Sequence, residues 1–319
     1  MTPAEEKAIR RGLYHAALEG YTVLRRGESA VDAVEIAVRS LENNPTFNAD
    51  KGSIFNIDGV NQMEASVMDG SNDTAGAATL LTVVKNPVSL ARRVMEGNQN
   101  VSMCGLGAEK FANNEGLDIV DPSYFWTAHR WEHHKEQKLR LKTVWARNTS
   151  TSSLLSTDEM VGNKFDYSHL ITGTVGAVAI DVCRRLAAAT STGGTTNKLD
   201  KRVDNTSAIG VGTWADSKVA VSCAGTSEHV IHQGTSRYIA SYVDMLGENA
   251  GKASVIAINE IKKLGGDGGV ICLDSKGRFS MTFCSDGMYR SYCSALTDHI
   301  PVVGIFNDET IAPEDNYMQ

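Results

Sequence analysis

The chain predicts an α+β fold, with layers of helix packed on sheet, and three observations predict it. Its first part carries apolar residues at helical spacing. After a segment rich in Ser, Thr and Asn the period changes to two, as in strands. Two further helical stretches then interrupt those strands. At 319 residues the chain buries a large core as one big domain or two smaller ones.

Taken in order, residues 1–20 form an amphipathic helix with Ile9, Leu13 and Ala16 or Ala17 on one face. A second helix opens at Ser29, with Asp32 as its capping-box partner. It places Ala30, Val34, Ala37 and Leu41 on one face, and Pro45 stops it. Short strand-like pieces follow, GSIFNI and MEASVMDG, and residues 75–97 and 105–115 return to a helical pattern. Residues 124–142 hold His129, His133 and His134. On a helix the first two share a face, yet no acidic or cysteine ligand accompanies them, so an exposed aromatic and basic helix is expected rather than a metal site.

Residues 147–164, RNTSTSSLLSTDEMVGNK, have no clear period and mark a linker at about 145–168. Strands are expected at 175–181, 185–192, 218–225, 268–274 and 278–283, and helices near 235–247 and 250–263.

Composition narrows the function. Hydrophobic residues make up 42% and charged residues 22%, as in globular proteins, and the net charge is −7. That charge argues against nucleic acid or an anionic membrane as the main partner. No apolar run reaches the length of a membrane span, and residues 1–20 lack a signal-peptide core. Six cysteines without a CxxC pair read as free thiols of a reducing compartment, so a cytoplasmic setting is expected. GLGAEK at 105–110 lacks the dinucleotide spacing, and GGDGG at 265–269 lacks the Lys-Ser/Thr ending of a phosphate loop.

One stretch carries chemistry. HLITGTVGAVAID, 169–181, sets Thr174 between Gly173 and Gly176 where a strand begins. Glycine tolerates strained backbone, so a peptide bond at 173/174 is a candidate for attack by the Thr174 hydroxyl. An N-to-O acyl shift and hydrolysis then expose Thr174 as a new N-terminus. Its own amine, titrating near ~8, serves as the base.

The segments GTVGAVAID, AAATSTGGTTNK (187–198), IGVGTWAD (209–216) and SCAGTSEH (222–229) resemble the plant-type L-asparaginase and isoaspartyl peptidase family of N-terminal-nucleophile threonine hydrolases. PTFNADKGS, MEASVMDG, GLGAEKFA, LGGDGG and DGMYR add to this, in family order over almost the whole chain. The resemblance implies a four-layer αββα sandwich, cut into residues 1–173 and 174–319, with two such pairs associating. It also implies L-asparagine and β-aspartyl peptides as substrates.

Residue by residue, it implies that Thr174 is the nucleophile and that Thr192 hydrogen-bonds it. Asn48 lies near the reacting centre, Arg202 grips the substrate's α-carboxylate, and Gly225 supplies an oxyanion-hole N–H. No cofactor is required. The loop 41–51 implies a structural sodium ion on backbone carbonyls, with Leu41, Glu42, Asn44, Phe47, Ala49 and Lys51 as its residues.

Four departures fall on this pattern. Asn205 stands where the family has an acid for the substrate's α-ammonium. Ala224 replaces the oxyanion-hole threonine, and Ser227 replaces a glycine beside the substrate's amino end. The family's first strand, ending in His-Gly-Gly-Ala-Gly, is missing, which exposes unpaired sheet edges. Asn205 and Glu228-His229-Val230 also resemble the related threonine aspartases, endopeptidases whose substrate has no free α-amine. A non-catalytic descendant is the third reading.

Overall fold

The computed structural model describes residues 1–97, 100–149, 173–309 and 311, without the side chains of 141–149. The expected linker falls outside the described residues from 150 onward, and residues 145–149 belong to a helix.

Helix α1 (Pro3–Arg25) and helix α2 (Ala30–Glu42) both start on capping boxes, Thr2 with Glu5 and Ser29 with Asp32. Each box satisfies donors that a helix start leaves open. Ile9, Leu13 and Ala16 of α1 pack with Val34, Val38 and Leu41 of α2, while Ala17 is only half-buried.

A five-stranded sheet holds β1 (Met63–Asp69), β2 (Thr74–Leu81), β3 (Ser102–Cys104), β4 (Val175–Ile180) and β5 (Leu186–Thr192), ordered β3-β2-β1-β5-β4. A four-stranded sheet holds β6 (Thr213–Ala215), β7 (Val219–Gly225), β8 (Gly268–Asp274) and β9 (Phe279–Phe283) in sequence order. β10 (Gly287–Tyr292) and β11 (Val302–Phe306) form a separate antiparallel pair. All five strands expected from period two are present.

The helices pack by sheet. α2 covers β4 and β5, and α3 (Pro87–Glu96) covers β1 and β2. After α4 (Gly105–Asn114), α5 (Ala128–Thr149) and the short α6 (Ser227–Gln233) come α7 (Thr235–Leu246) and α8 (Ala250–Lys263). α7 packs on β7, and α8 packs on β8 and β9. The other faces of the two sheets meet each other, burying Met68, Leu186 and Ala188 against Ala220 and Leu273. Removing a side chain such as Leu186 from water contributes about 1.5–3 kcal/mol. The fold is mixed α/β.

Several expectations need correction. Residues 75–97 are not one helical stretch: TAGAATLL is strand β2, and only Pro87–Glu96 is helical. Alanine favours helix in isolation, but pairing with β1 and packing under α3 override that weak preference. A Cβ at Gly76 would lie 2.1 Å from the Ala91 carbonyl, so only a strand of small residues lets α3 approach this closely. GSIFNI is no strand; a 3-10 turn at Asp50–Gly52 leads into a loop tied by Asn56, whose Oδ1 accepts from the N–H groups of Asp58 and Val60.

The helix of the histidines exists, but it is not simply exposed. Arg130 and His134 are buried, and His134 stacks on Trp131.

Among the described residues, β4 pairs only with β5 and β10 only with β11. Both free edges line one cleft of 2520 Å³.

Candidate active site

Thr174 stands immediately before β4, at the wall of that cleft. The β4–β5 register sets Val175 opposite Ser191 and Gly176 opposite Thr190. One step further along the same register, Thr174 comes opposite Thr192. Gly173 precedes it, and a Cβ there would meet nothing within 4 Å among the described residues.

Gly176 has a packing role. A Cβ there would lie 2.0 Å from Ser222 Oγ of β7, so the glycine lets the second sheet approach the first beside the threonine. Ser222 belongs to a buried hydroxyl chain between the sheets. Its Oγ meets Thr190 Oγ1 at 2.8 Å, Thr190 Oγ1 also bonds Thr213 Oγ1, and Thr213 Oγ1 meets Ser66 Oγ at 2.7 Å. Ser66 Oγ donates to the Thr206 carbonyl at 2.6 Å. Thr206 Oγ1 lies 3.5 Å from Thr174 Oγ1. A hydroxyl can both donate and accept, which lets such a chain satisfy polar groups buried between two sheets.

Thr206 is a residue that sequence reasoning missed, because it lies in a loop beside Asn205 with no local motif to mark it. Thr192 Oγ1 accepts from the Gly194 N–H at 3.0 Å, and Thr192 is buried behind the wall of the cleft. Asn48 is buried at the same end. Its Nδ2 donates to the Gly194 carbonyl at 2.7 Å and its Oδ1 accepts from the Ile54 N–H at 3.0 Å. A Cβ at Gly193 would lie 2.6 Å from Asn48 Oδ1, so this glycine admits the asparagine.

Ala224 and Gly225 end β7 and line the cleft with Thr174. A Cβ at Gly225 would lie 2.5 Å from the Asp267 carbonyl. The next residue, Thr226, is fixed to Asp267 on both sides: its N–H donates at 2.7 Å and its Oγ1 accepts from the Asp267 N–H at 3.2 Å.

The charged wall differs from a free arginine waiting for a carboxylate. Arg202 Nη2 meets Glu228 Oε1 at 2.6 Å, and Nη1 lies 3.4 Å from Asp204 Oδ2. Burial opposes the charge on Arg202, but Asp204 and Glu228 outweigh it and hold its pKa above the ordinary value. Asn205 is buried; its Nδ2 donates to the Cys223 carbonyl at 3.3 Å and its Oδ1 accepts from Ser227 Oγ at 2.9 Å. Asn205 and Ser227, the two positions expected to depart from the family pattern, therefore bond to each other.

Behind them, burial lowers the pKa of Lys198, whose Nζ donates to the Gln62 carbonyl, and burial raises that of Glu64. α5 adds residues not anticipated at this cleft. His129, Arg130 and His133 line it, and Arg130 donates to the carbonyls of Gly52 and Thr46. With two carbonyls and no carboxylate, burial pushes Arg130 down to about 10. Among the described residues no three histidine, cysteine or acidic groups gather as a metal site.

The loop 41–51 is a chain of turns. The Leu41 carbonyl accepts from Asn44, that of Asn44 from Phe47, and that of Ala49 from Gly52. A Cβ at Gly52 would lie 2.0 Å from the Phe47 carbonyl and 2.7 Å from that of Pro45. Inward carbonyls around a glycine suit a hard cation such as sodium. Glu42 contributes a buried side chain here, while Lys51 Nζ turns to the Tyr124 carbonyl at 3.2 Å.

Comparison with known proteins places the chain in a family. The model of the Asparaginase family matches residues 1–302. The chain is 38% identical over 299 residues to the isoaspartyl peptidase of Escherichia coli, covering 92% of this chain and 88% of that protein. It is 37% identical over 290 residues to the isoaspartyl peptidase/L-asparaginase of Rattus norvegicus, covering 90% and 81%. It is 38% identical over 288 residues to the plant-type L-asparaginase of Thermococcus kodakarensis, covering 87% and 90%. With the family's match running through both sheets and the threonine between them, the chain belongs to the Asparaginase family.

Proposed function

We propose that this protein is a threonine hydrolase that cuts itself between Gly173 and Thr174 and then hydrolyses the side-chain amide of L-asparagine and β-aspartyl peptides. The observation that carries this is the position of Thr174, at the start of β4 on the cleft wall, with its hydroxyl 3.5 Å from that of Thr206. The names of the relatives, isoaspartyl peptidases and asparaginases, support the substrate class.

Once Thr174 is an N-terminus, its amine takes the hydroxyl proton as Oγ1 attacks the β-carbonyl. The Gly225 N–H faces the oxyanion. Ammonia or the amine of the next residue leaves with that proton, and water hydrolyses the aspartyl ester to restore Thr174. Thr192 and Asn48 position the nucleophile's end of the cleft, and Arg202 takes the substrate's α-carboxylate in exchange for Glu228.

The packing of helices outside two facing sheets supports the four-layer αββα sandwich. No organic cofactor is needed; a sodium ion on the 41–51 carbonyls would brace the loop that carries Asn48. Processed pairs assemble as a homo-oligomer in the cytoplasm, with neither nucleic acid nor membrane as partner. Among the described residues no helix is long and apolar enough to cross a membrane.

A second reading is favoured by the Ser227–Asn205 bond: a substrate whose α-amine is already acylated, as in an endopeptidase. A neutral, internally bonded amide offers an ammonium no ion pair.

Denaturing electrophoresis with N-terminal sequencing tests the cut: a fragment starting Thr174-Val175-Gly176, abolished by Thr174→Ala, is expected. An intact chain after long incubation overturns the processing step. Ammonia release from asparagine, compared with cleavage of β-aspartyl dipeptides and of α-acylated aspartyl substrates, sorts the two readings.

A further inference from the structure

Two buried carboxylates lie together at the end of α2, away from Thr174. Glu42 is fully buried, and its Oε1 is well supplied: it accepts from the Val88 N–H at 3.0 Å and from Ser191 Oγ at 2.6 Å. Its Oε2 accepts only from Asn86 Nδ2, at 3.2 Å. Asp50 is also fully buried. Its Oδ2 lies 3.4 Å from the same Asn86 Nδ2, and among the described residues its Oδ1 has no hydrogen-bond partner. A third acceptor, Asn43 Oδ1, lies 3.2 Å from that nitrogen.

Three oxygens thus converge on one amide nitrogen, which carries two hydrogens. Both carboxylates lean on that one neutral amide beyond their own separate hydrogen bonds, and among the described residues Asp50 Oδ1 has no donor. A buried carboxylate without a partner is costly, so such a cluster calls for positive charge. The nearby lysines do not supply it directly. Lys85 pairs with Asp118 at 3.4 Å, and Lys51 donates to the Tyr124 carbonyl.

Asn86 itself starts α3 in a left-handed conformation, φ 56°, without capping the helix through its side chain. Its amide is turned toward the acids instead.

We propose that Glu42, Asp50, Asn43 and Asn86 form a binding site for a hard divalent cation, which sits among the three oxygens that now converge on the Asn86 amide nitrogen. The donors are all oxygen, the set that calcium takes and that softer metals do not prefer. Rotation of the Asn86 amide exchanges its nitrogen for its oxygen and adds a fourth donor. Asn43 is exposed and gives the ion its way in, with water completing the shell. This site is built from side chains and is separate from the backbone carbonyls of the 41–51 loop. It rests on no reading of the catalytic threonine. Burial raises the pKa values of both Glu42 and Asp50, and the repulsion of Asp50 adds to the shift at Glu42, as expected for an acid pair lacking its counter-charge.

The test is calorimetric titration of chelator-treated full-length protein with calcium chloride in sodium buffer, with thermal unfolding in parallel. One calcium per chain and a rise in midpoint of about 2–4 °C or more are expected. Asp50→Gly removes the carboxylate, keeps every loop carbonyl, and suits the φ of 47° at this position. Asp50→Asn keeps the shape without the charge. Both variants are expected to lose calcium affinity at least tenfold while keeping their fold in sodium buffer. Absence of calcium binding by the unaltered protein overturns the site and leaves the acids sharing a proton. Equal binding by either folded variant overturns it as well.

Discussion

Ser227 Oγ donates a hydrogen bond to Asn205 Oδ1 at 2.9 Å, joining α6 to the loop that carries Arg202. The pair is neutral and buried. Replacing the amide by a carboxylate, Asn205→Asp, keeps the Ser227 bond and adds the charge that an α-ammonium requires. The KM for L-asparagine is expected to fall about tenfold, equivalent to ~1.4 kcal/mol, with kcat little changed. Steady-state kinetics on asparagine and on an α-acylated substrate check this. An unchanged KM for asparagine would show that its amino group is held elsewhere.

If Gly225 supplies the oxyanion-hole N–H as proposed, Ala224 leaves that hole one hydroxyl short of the pattern the resemblance implies. Ala224→Thr is expected to raise kcat on β-aspartyl substrates, by up to about 10²-fold, since one such donor is typically worth that much. A gain confined to KM would count against an oxyanion role for position 224. Gly225→Ala should instead lower stability as well as rate, because its Cβ would meet the Asp267 carbonyl at 2.5 Å.

Gly176→Ala is expected to destabilise the protein by about 1–3 kcal/mol, the usual range for overpacking. The new Cβ would collide with Ser222 Oγ, so the double variant Gly176→Ala/Ser222→Ala should recover part of the loss. Urea unfolding of the four proteins gives the coupling. Independent, additive losses would refute the close approach of the sheets here.

Burial lowers the pKa of His134, and burial also lowers that of its neighbour His133. In the unfolded chain these imidazoles titrate near ~6.5. Above that pH both states are neutral and stability is complete. As pH falls below it the unfolded chain takes up protons first, so stability is lost between the unfolded and the lower folded values. The two histidines alone should therefore lower the urea midpoint from pH 8 to pH 5, while Glu42 and Asp50, whose pKa values burial raises, act in the opposite direction over that range; relative to the unaltered protein, His134→Phe should lose less stability toward pH 5. A variant with the same slope as the unaltered protein would remove His134 from the account.

The sequence shows its helices and strands where burial follows a simple period. α1, α2 and the strands β4, β5, β7, β8 and β9 are legible because their apolar residues recur at one period. β2 misleads, since a run of alanines is compatible with either period and only pairing with β1 decides it. The threonine and its glycines are visible as motifs. Thr206 is not, because its relation to Thr174 arises from a loop folding back beneath β4, and no local pattern encodes such a contact. The ion pairs that occupy Arg202 are equally hidden, since Glu228 comes from a short helix 26 residues away. The acid pair at Glu42 and Asp50 escapes for a related reason: a charged residue at a helix end or in a loop looks solvated until burial is known.

β5 lies between β1 and β4, so the centre of the larger sheet is a ladder between residues that precede and follow Gly173. Glu64 through Asp69 pair in unbroken register with Thr192 back through Ala187. A cut ahead of Thr174 would change the molecularity of folding more than the shape of the product. The uncut chain closes that ladder as an intramolecular step, at a rate independent of concentration. The two halves, once separated by denaturant, would have to find each other by collision. Recovery would then slow on dilution, and the mature protein would be easier to keep folded than to fold again.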